Sequence, residues 1–412
     1  MTEKGKNTPT VRFKGFTDDW EQRKLGEIVT EVNRTDEKSV APVMMITAEN
    51  GFIRQSERYA YNNSGKSLKK YIILKYGELA YNHGASKLRP YGSCFALTTE
   101  KEARIPFVYH CFAANHDNAR YLSLVLNGEA VAKQLKRIVS SGARMDGLLN
   151  ISFEDYETIP IMLPSKEEQD TIVDYFIYFD HLIALHQRQL DEQKALKKYF
   201  LQNMFPAKGE KVPRIRFQGF TDDWEERKLG ELVIIERGGS PRPIDAYITD
   251  AQDGLNWVKI GDAPEQGRYI THTEEKIKPS GLSKTRQVFQ GDLILSNSMS
   301  FGKPYIMGIQ GCIHDGWLLI RNNQNVFDLK FLCQMLGTEQ MLAQYRQLAA
   351  GSTVNNLNKE LVSNAIVKVP RKAEQEKIGT FLESIDNVIT LHQRQLTQLQ
   401  AVKKFMLQNL FV

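Results

Sequence analysis

Cysteine is scarce in this sequence: four residues, Cys94, Cys111, Cys312 and Cys333, are scattered over 412 positions with no C-x-x-C pair. That excludes a disulfide framework and a zinc ribbon, and it leaves the thiols as buried small hydrophobes. Long apolar runs are missing too. None approaches the roughly 18 residues that mark a membrane span. The opening, "MTEKGKNTPT", is polar and lacks a secretion signal, so the expectation is a soluble, cytoplasmic chain. Charge of one sign is also lacking. The 54 basic and 49 acidic residues leave a net of +5, too mild to name a partner.

Catalytic signatures are absent as well. "AYNNSGKS" (60–67) has alanine where a phosphate-binding loop needs its first glycine, and no apolar strand precedes it. "RGGSPRP" (237–243) is glycine-rich without dinucleotide-loop spacing. No H-E-x-x-H, no G-x-S-x-G and no Asn-Pro-Pro-aromatic motif occurs. The sequence reads as that of a binding protein without chemistry of its own, holding no cofactor and no metal.

What is present is a repeat. "LHQRQL" stands at 185–190 and again at 391–396. "VRFKGFTDDWEQRKLGEIV" (11–29) matches "IRFQGFTDDWEERKLGELV" (215–233) at 15 of 19 positions. "HLIALHQRQLDEQKALKKYFLQNMF" (181–205) matches "NVITLHQRQLTQLQAVKKFMLQNLF" (387–411). Between these frames, residues 30–160 and 234–365 share little wording. A period of about 205 residues far exceeds that of solenoid repeats, so each copy should hold a domain. The division expected is 1–160 and 207–365 as two variable domains, with 161–206 and 366–412 as helical segments.

Helical spacing predicts a long helix over about 166–204, with Ser165 and Glu168 as a capping box and Pro206 beyond its end. Its 3–4 seam includes Ile172, Phe179, Ile183, His186 and Leu190. A shift of 206 gives Ile385, Ile389, His392 and Leu396 in the same register. Nearly three heptads of mostly apolar seam positions predict a coiled coil. Two such helices in one chain pair most simply with each other, antiparallel if the copies are related by a pseudo-twofold. His186, His392, Lys197 and Lys403 fall on the seam as polar residues that set register or orientation. The fold class is therefore α+β: two α/β domains joined by two long helices pairing as an antiparallel coiled coil.

The helices are not the basic part of the chain. Residues 166–204 carry five basic and seven acidic side chains, and 374–411 carry four of each. The positive surplus sits with the variable domains, as expected if they meet phosphates. Both interiors read as mixed α/β with short strands. "GELAYN" (77–82) and "GDLILSN" (291–297) occupy matching places, each a strand after a glycine–acid turn. Loops after them mix glycine, serine, a base and tyrosine: "HGASKLRPYG" and "SMSFGKPYIMG". Farther on lie "SSGARMDGLLN" (140–150) and "AAGSTVNNLN" (349–358). Such loops offer arginine and lysine to phosphate and asparagine or serine to base edges.

Taken together, the duplicated "GFTDDWExRKLGE", "GGSP" (238–241), "WVKIGD" (257–262), "GLSKTRQVFQGDLILSNSMSFGKP" (281–304) and "AGSTVNNLNKELVSNAIVKVPRKAEQEKI" (350–378) resemble the specificity subunit of type I restriction–modification systems. The first copy follows the pattern with "SGARMDGLLN" and without Gly-Gly-Ser-Pro. The resemblance covers essentially the whole chain. It implies a non-catalytic subunit whose two target recognition domains each read half of a bipartite site in double-stranded DNA. It also implies that the helices set the unread spacer and dock two methyltransferase subunits, with two restriction (motor-nuclease) subunits completing the complex. S-adenosylmethionine, ATP and magnesium would then sit on the partners. Candidate DNA contacts are Asn82, Ser86, Lys87, Arg89 and Arg144 in the first domain. In the second they are Arg237, Ser240, Arg242, Asn297, Ser298, Lys303 and Thr353. The rival readings are a stand-alone two-headed DNA-binding regulator, a self-contained nuclease or methyltransferase, and a structural adaptor.

Overall fold

Two 38-residue helices, Lys166–Asn203 and Lys372–Asn409, close the two copies of the repeat. The computed structural model describes residues 7–58, 65–139, 149–297, 302–349 and 357–412. Contacts divide the chain into two compact units: Met1–Ile183 with Gln398–Val412, and Ala184–Thr397.

In the first unit the duplicated opening becomes strand Glu21–Lys24, flanked by buried Trp20 and Leu25. Its four polar residues show no apolar alternation, because the strand lies in a two-stranded ribbon. Pro160–Leu163 is the antiparallel partner and supplies the apolar side, with Glu21 opposite Leu163 and Lys24 opposite Pro160. The interior holds a four-stranded antiparallel sheet in the order Val29–Glu31, His110–Ala114, Leu79–Asn82, Ser93–Ala96. Two smaller pairs join Met44–Thr47 to Gly51–Arg54 and Ile72–Lys75 to Glu102–Ile105. One core gathers Trp20, Tyr81, Phe112, Tyr121 and Tyr156 with Ile172, Phe176 and Leu410 from the long helices. A second holds Ile46, Leu74, Leu97, Ile105 and Cys111.

The second unit repeats the ribbon. Glu225–Lys228 pairs antiparallel with Ile366–Val369, Glu225 opposite Val369 and Lys228 opposite Ile366. Its main sheet runs Ile234–Arg237, Trp317–Arg321, Leu293–Ser296, Pro304–Met307, Tyr269–Ile270, the last pair parallel. The first four strands follow the spatial order of the first unit's sheet. A further sheet of Glu275–Ile277, Leu255–Val258, Gly311–Ile313 and Arg286–Val288 corresponds to the two smaller pairs of the first unit, which a parallel bridge between Val43 and Arg104 joins in the same order.

The glycine–acid turns are real in both units. Gly77 and Gly291 adopt φ of +85° and +90°, where a side chain would be strained. The acid that follows each glycine folds back on the turn. Glu78 Oε2 accepts from Lys75 N–H at 2.7 Å, and Asp292 Oδ2 accepts from Phe289 N–H at 2.9 Å.

Within each unit the long helices meet in opposite chain directions. In the second unit His186 pairs with His392, Lys197 with Asp386, and Phe200 with Phe381. In the first, Asp180 pairs with Lys403 and Phe176 with Phe411. The histidine Nδ1 atoms lie 3.4 Å apart. Ile172, Leu190, Ile385, Ile389 and Leu396 are buried, while Phe179 and Ile183 are half-buried.

The capping box forms by half. Ser165 Oγ accepts from Glu168 N–H at 3.3 Å, but the Glu168 carboxylate does not reach back. It is held instead by a bidentate pair with Arg12, two contacts of 2.8 Å. A charged fork donating to both oxygens outcompetes one neutral backbone N–H. Arg216 grips Glu374 in the same way, at 2.8 and 2.9 Å.

Candidate nucleic-acid interface

In the second unit four of the sequence-predicted residues converge on Asp315. Strand Ile234–Arg237 leads into Gly238 and Gly239, which run against other backbone segments. A Cβ at Gly238 would lie 2.1 Å from the His314 carbonyl, so only glycine allows this approach. The close pass brings Ser240 Oγ to 2.8 Å from Asp315 Oδ1, a hydrogen bond donated by the hydroxyl. Arg242 Nη2 stands 3.8 Å from Asp315 Oδ2, with its side chain 81% exposed. Arg237 Nε donates to the Asp315 carbonyl at 3.4 Å. Asn297, buried just past strand Leu293–Ser296, donates its amide to that same carbonyl at 2.8 Å.

Pro241, Trp257, Lys259 and His314 complete a recess of about 420 Å³ around this group. Lys259 is tied to Glu275 at 2.7 Å. Burial pulls the Asp315 carboxyl upward, but the Ser240 hydrogen bond and the positive groups nearby outweigh it, leaving it below its ordinary value. Burial lowers His314, and both its ring nitrogens face backbone N–H groups, Ile260 at 3.2 Å and Gly316 at 2.6 Å. The result is an ionised acid with an exposed arginine 3.8 Å away and a histidine alongside. Such a group can offer a guanidinium fork to guanine or phosphate and a carboxylate to an exocyclic amine.

Asp315, His314, Lys259 and Trp257 were not among the predicted contacts. Lys259 and Trp257 lie within the quoted "WVKIGD", but His314 and Asp315 follow a strand and carry no motif of their own. Only the fold brings "GCIHDGW" against "RGGSPRP". Lys303 lies outside this cluster. Its ammonium rests 5.2 Å from the Tyr305 ring centroid.

The first unit disposes of its predicted residues differently. Asn82 donates to the Ile46 carbonyl at 3.1 Å and accepts from Gly84 N–H at 2.9 Å, which pins the loop. Ser86 Oγ accepts from Arg89 N–H at 3.0 Å and caps a tight turn. Lys87 is exposed at its tip. Arg89, predicted from spacing as a surface contact, turns inward: Nη1 donates to the Asn127 carbonyl at 2.5 Å, and burial lowers its pKa. Gly92, at φ +82°, lets the loop run against the sheet, where a Cβ would stand 2.7 Å from the Asn82 carbonyl. Arg144, Ser298 and Thr353 lie outside the described residues, as do most of the loops "SSGARMDGLLN" and "AAGSTVNNLN".

Among the described residues no group of three or more histidine, cysteine or carboxylate side chains could hold a metal, and no helix is long and apolar enough to cross a membrane.

Comparison with known proteins fits this architecture. The chain is 25% identical over 286 residues to the type I restriction enzyme MjaVIII specificity subunit of Methanocaldococcus jannaschii, a stretch covering 66% of each protein. It is 25% identical over 256 residues to the putative MjaX specificity subunit of the same organism, covering 60% of this chain and 57% of that one. The matched stretches thus span somewhat less than two thirds of these relatives' own length. Among solved structures, the S subunit of the type I restriction-modification system from M. genitalium superposes with a TM-score of 0.62 at 13% identity. That superposition covers 98% of this chain and 99% of the other. A chain from a study of complex assembly and conformational transition in the type I R-M system gives 0.55 at 17% identity, covering 96% and 97%. These two likenesses establish a shared fold of two mixed α/β domains with helices. The family described as type I restriction modification DNA specificity domain matches residues 17–194 and again 221–401, and the chain belongs to that family, carrying two copies of its domain.

Proposed function

We propose that this chain is the DNA sequence-specificity subunit of a type I restriction–modification complex, a binding subunit without catalysis of its own. The observation that carries the reading is one frame built twice around two different interiors. The ribbon, the Arg–Glu clasp, the helix contacts and the strand order recur almost unchanged, while the wording of the loops does not. A divided reader needs this arrangement. Matched helices present matched surfaces to two methyltransferase subunits, and unlike interiors read unlike half-sites of double-stranded DNA. The antiparallel helices set the unread spacer. Two motor-nuclease subunits complete the restriction complex. S-adenosylmethionine, ATP and magnesium belong to those partners, and the assembly works in the cytoplasm.

In the second interior, Arg242 reads a base edge or clamps a phosphate, with Ser240 and Asp315 fixing its base. In the first, Lys87 contacts the backbone. The test is a genome-wide map of methylated adenines in cells expressing this chain with its methyltransferase, against cells lacking the chain. A new two-part motif with an unspecified gap, methylated on both strands, is the expected result. No change, with the methyltransferase expressed and soluble, would overturn the assignment in favour of a stand-alone regulator.

A further inference from the structure

The second unit contains a basic recess in which one sequence-predicted contact, Lys303, is joined by residues the half-site reading did not name. It measures about 550 Å³ and is separate from the Asp315 cluster. Five basic side chains line it, Lys194, Lys197, Lys198, Arg268 and Lys303, against three carboxylates. Those carboxylates do not neutralise it. Asp386 is already shared between Lys197 and Gln334, whose Nε2 donates to it at 2.7 Å. Glu339 faces Arg346 at 3.7 Å, and the exposed Glu265 offsets part of the charge on Lys303 from beyond ion-pair range. Among the described residues no carboxylate lies in ion-pair range of Arg268 or Lys303. The Arg268 guanidinium makes one long contact, 3.4 Å to the Pro304 carbonyl, and lies over Gly337, where a Cβ would stand 3.5 Å from Nη2. The next residue, Thr338, caps the helix Glu339–Ala349: its hydroxyl accepts from Met341 N–H at 3.3 Å and its carbonyl from Leu342 N–H at 3.0 Å.

Unpaired positive charge is expensive to hold away from water, and its cost falls when an anion enters. Two lysines register the same guanidinium. Burial first, and then Arg268, pulls both Lys197 and Lys303 below the ordinary lysine range. A planar fork beside an ammonium matches a tetrahedral oxyanion, and the volume leaves room for an organic group attached to it.

We propose that this recess is a phosphate-class anion site, with Arg268 and Lys303 as its principal ligands and Lys197–Asp386 as its floor. The matching recess of the first unit has a different lining. Phe95, Val173, Phe176, Leu407 and Phe411 line it together with Arg89 and Arg120; its Lys403 and Lys133 are paired with Asp180 and Glu129, and Arg89 donates to the Asn127 carbonyl. The two principal ligands thus come from the second interior, while the floor comes from the duplicated helices. Its natural occupant is either a phosphodiester of the DNA backbone or a free phosphate ester, and the two share one recognition chemistry.

The experiment is calorimetric titration of the full chain with inorganic phosphate at constant ionic strength, with chloride as the control. Saturable binding at one site is expected. Losing one charge-assisted contact should weaken it about tenfold or more in Arg268→Gln, and less in Lys303→Gln. Circular dichroism checks that both variants fold. Lys303→Gln, at the recess wall, serves if Arg268→Gln does not. Adding duplex DNA to the phosphate-loaded chain separates the sources. Release of phosphate assigns the site to the DNA backbone, and retention assigns it to a free ester. No saturable phosphate binding by the wild type, or unchanged affinity in both variants, overturns the proposal.

Discussion

Lys197 meets Asp386 in the second unit and Lys403 meets Asp180 in the first, each lysine and each aspartate standing 206 residues from its counterpart. By sequence the two ion pairs are the same. By environment they are not. The first-unit side chains are 27% and 57% exposed, the second-unit ones 11% and 12%. The difference comes from the interiors: Gln334 of the second domain reaches the aspartate and seals it, and the first unit records no equivalent bond. By contrast, the Arg12–Glu168 and Arg216–Glu374 clasps match, with exposures of 14% and 1% in both. Where frame touches frame, duplication preserves the environment. Where frame touches interior, an identical residue acquires a new one.

The sharpest way to break this comparison is to exchange an interior. Replacing residues 30–160 with another family interior should change one half of the methylated motif completely and leave the other half and the gap intact. A change in both halves would show that the units do not read independently.

Next in size is the ion pair itself. Lys197→Met leaves Asp386 buried and unpaired, which should cost about 3 kcal/mol. Lys403→Met leaves Asp180 largely in water, which should cost about 1 kcal/mol or less. Urea unfolding of both variants measures the gap. Equal losses would mean that Gln334 and its surroundings do not determine the burial of the pair.

The two loop arginines give a smaller contrast, one of kind. Arg242→Ala should relax selectivity at one position of the second half-site by about 1–2 kcal/mol while leaving stability within about 0.5 kcal/mol. Arg89→Ala should do the reverse, lowering stability through lost packing and leaving the motif unchanged. Melting curves and the methylation map distinguish the two outcomes.

These contrasts mark how far the sequence could be read. Both long helices, the glycine–acid turns and the helix seam follow from local spacing, and local spacing needs no knowledge of partners. The Arg12–Glu168 clasp spans 156 residues and was invisible for that reason, although both arginines sit in the duplicated opening and both glutamates in the first turn of a helix. The same limit explains the site. Arg237, Ser240 and Arg242 could be grouped in advance because they are close together in a glycine-rich loop. Asp315, which holds them, lies 75 residues from Ser240 and is placed by sheet order alone. The bond from Arg89 to the Asn127 carbonyl was not legible, because spacing shows a basic loop but not which way its side chain turns.

The smallest expected effect concerns one histidine in each unit. His110 and His314 both lie below the ordinary value near 6.5, burial being the main cause in each. Unfolded chains take up the proton near that value while folded ones do not, so between it and the folded pKa the unfolded state binds more protons. Stability should therefore fall as the pH drops below about 6.5, and level off once the folded histidines also titrate. His110 Nε2 faces the Ile151 carbonyl, which favours a ring proton, with His83 opposing it; His314 faces two N–H groups, which oppose one, with Asp315 at 3.6 Å and Asp262 favouring it. The second unit should contribute more of the acid loss. Urea midpoints between pH 5.5 and 7.5 should flatten more in His314→Gln than in His110→Gln. An unchanged slope in both variants would assign the acid sensitivity to carboxylates instead, and the contrast between the two histidines would fall with it.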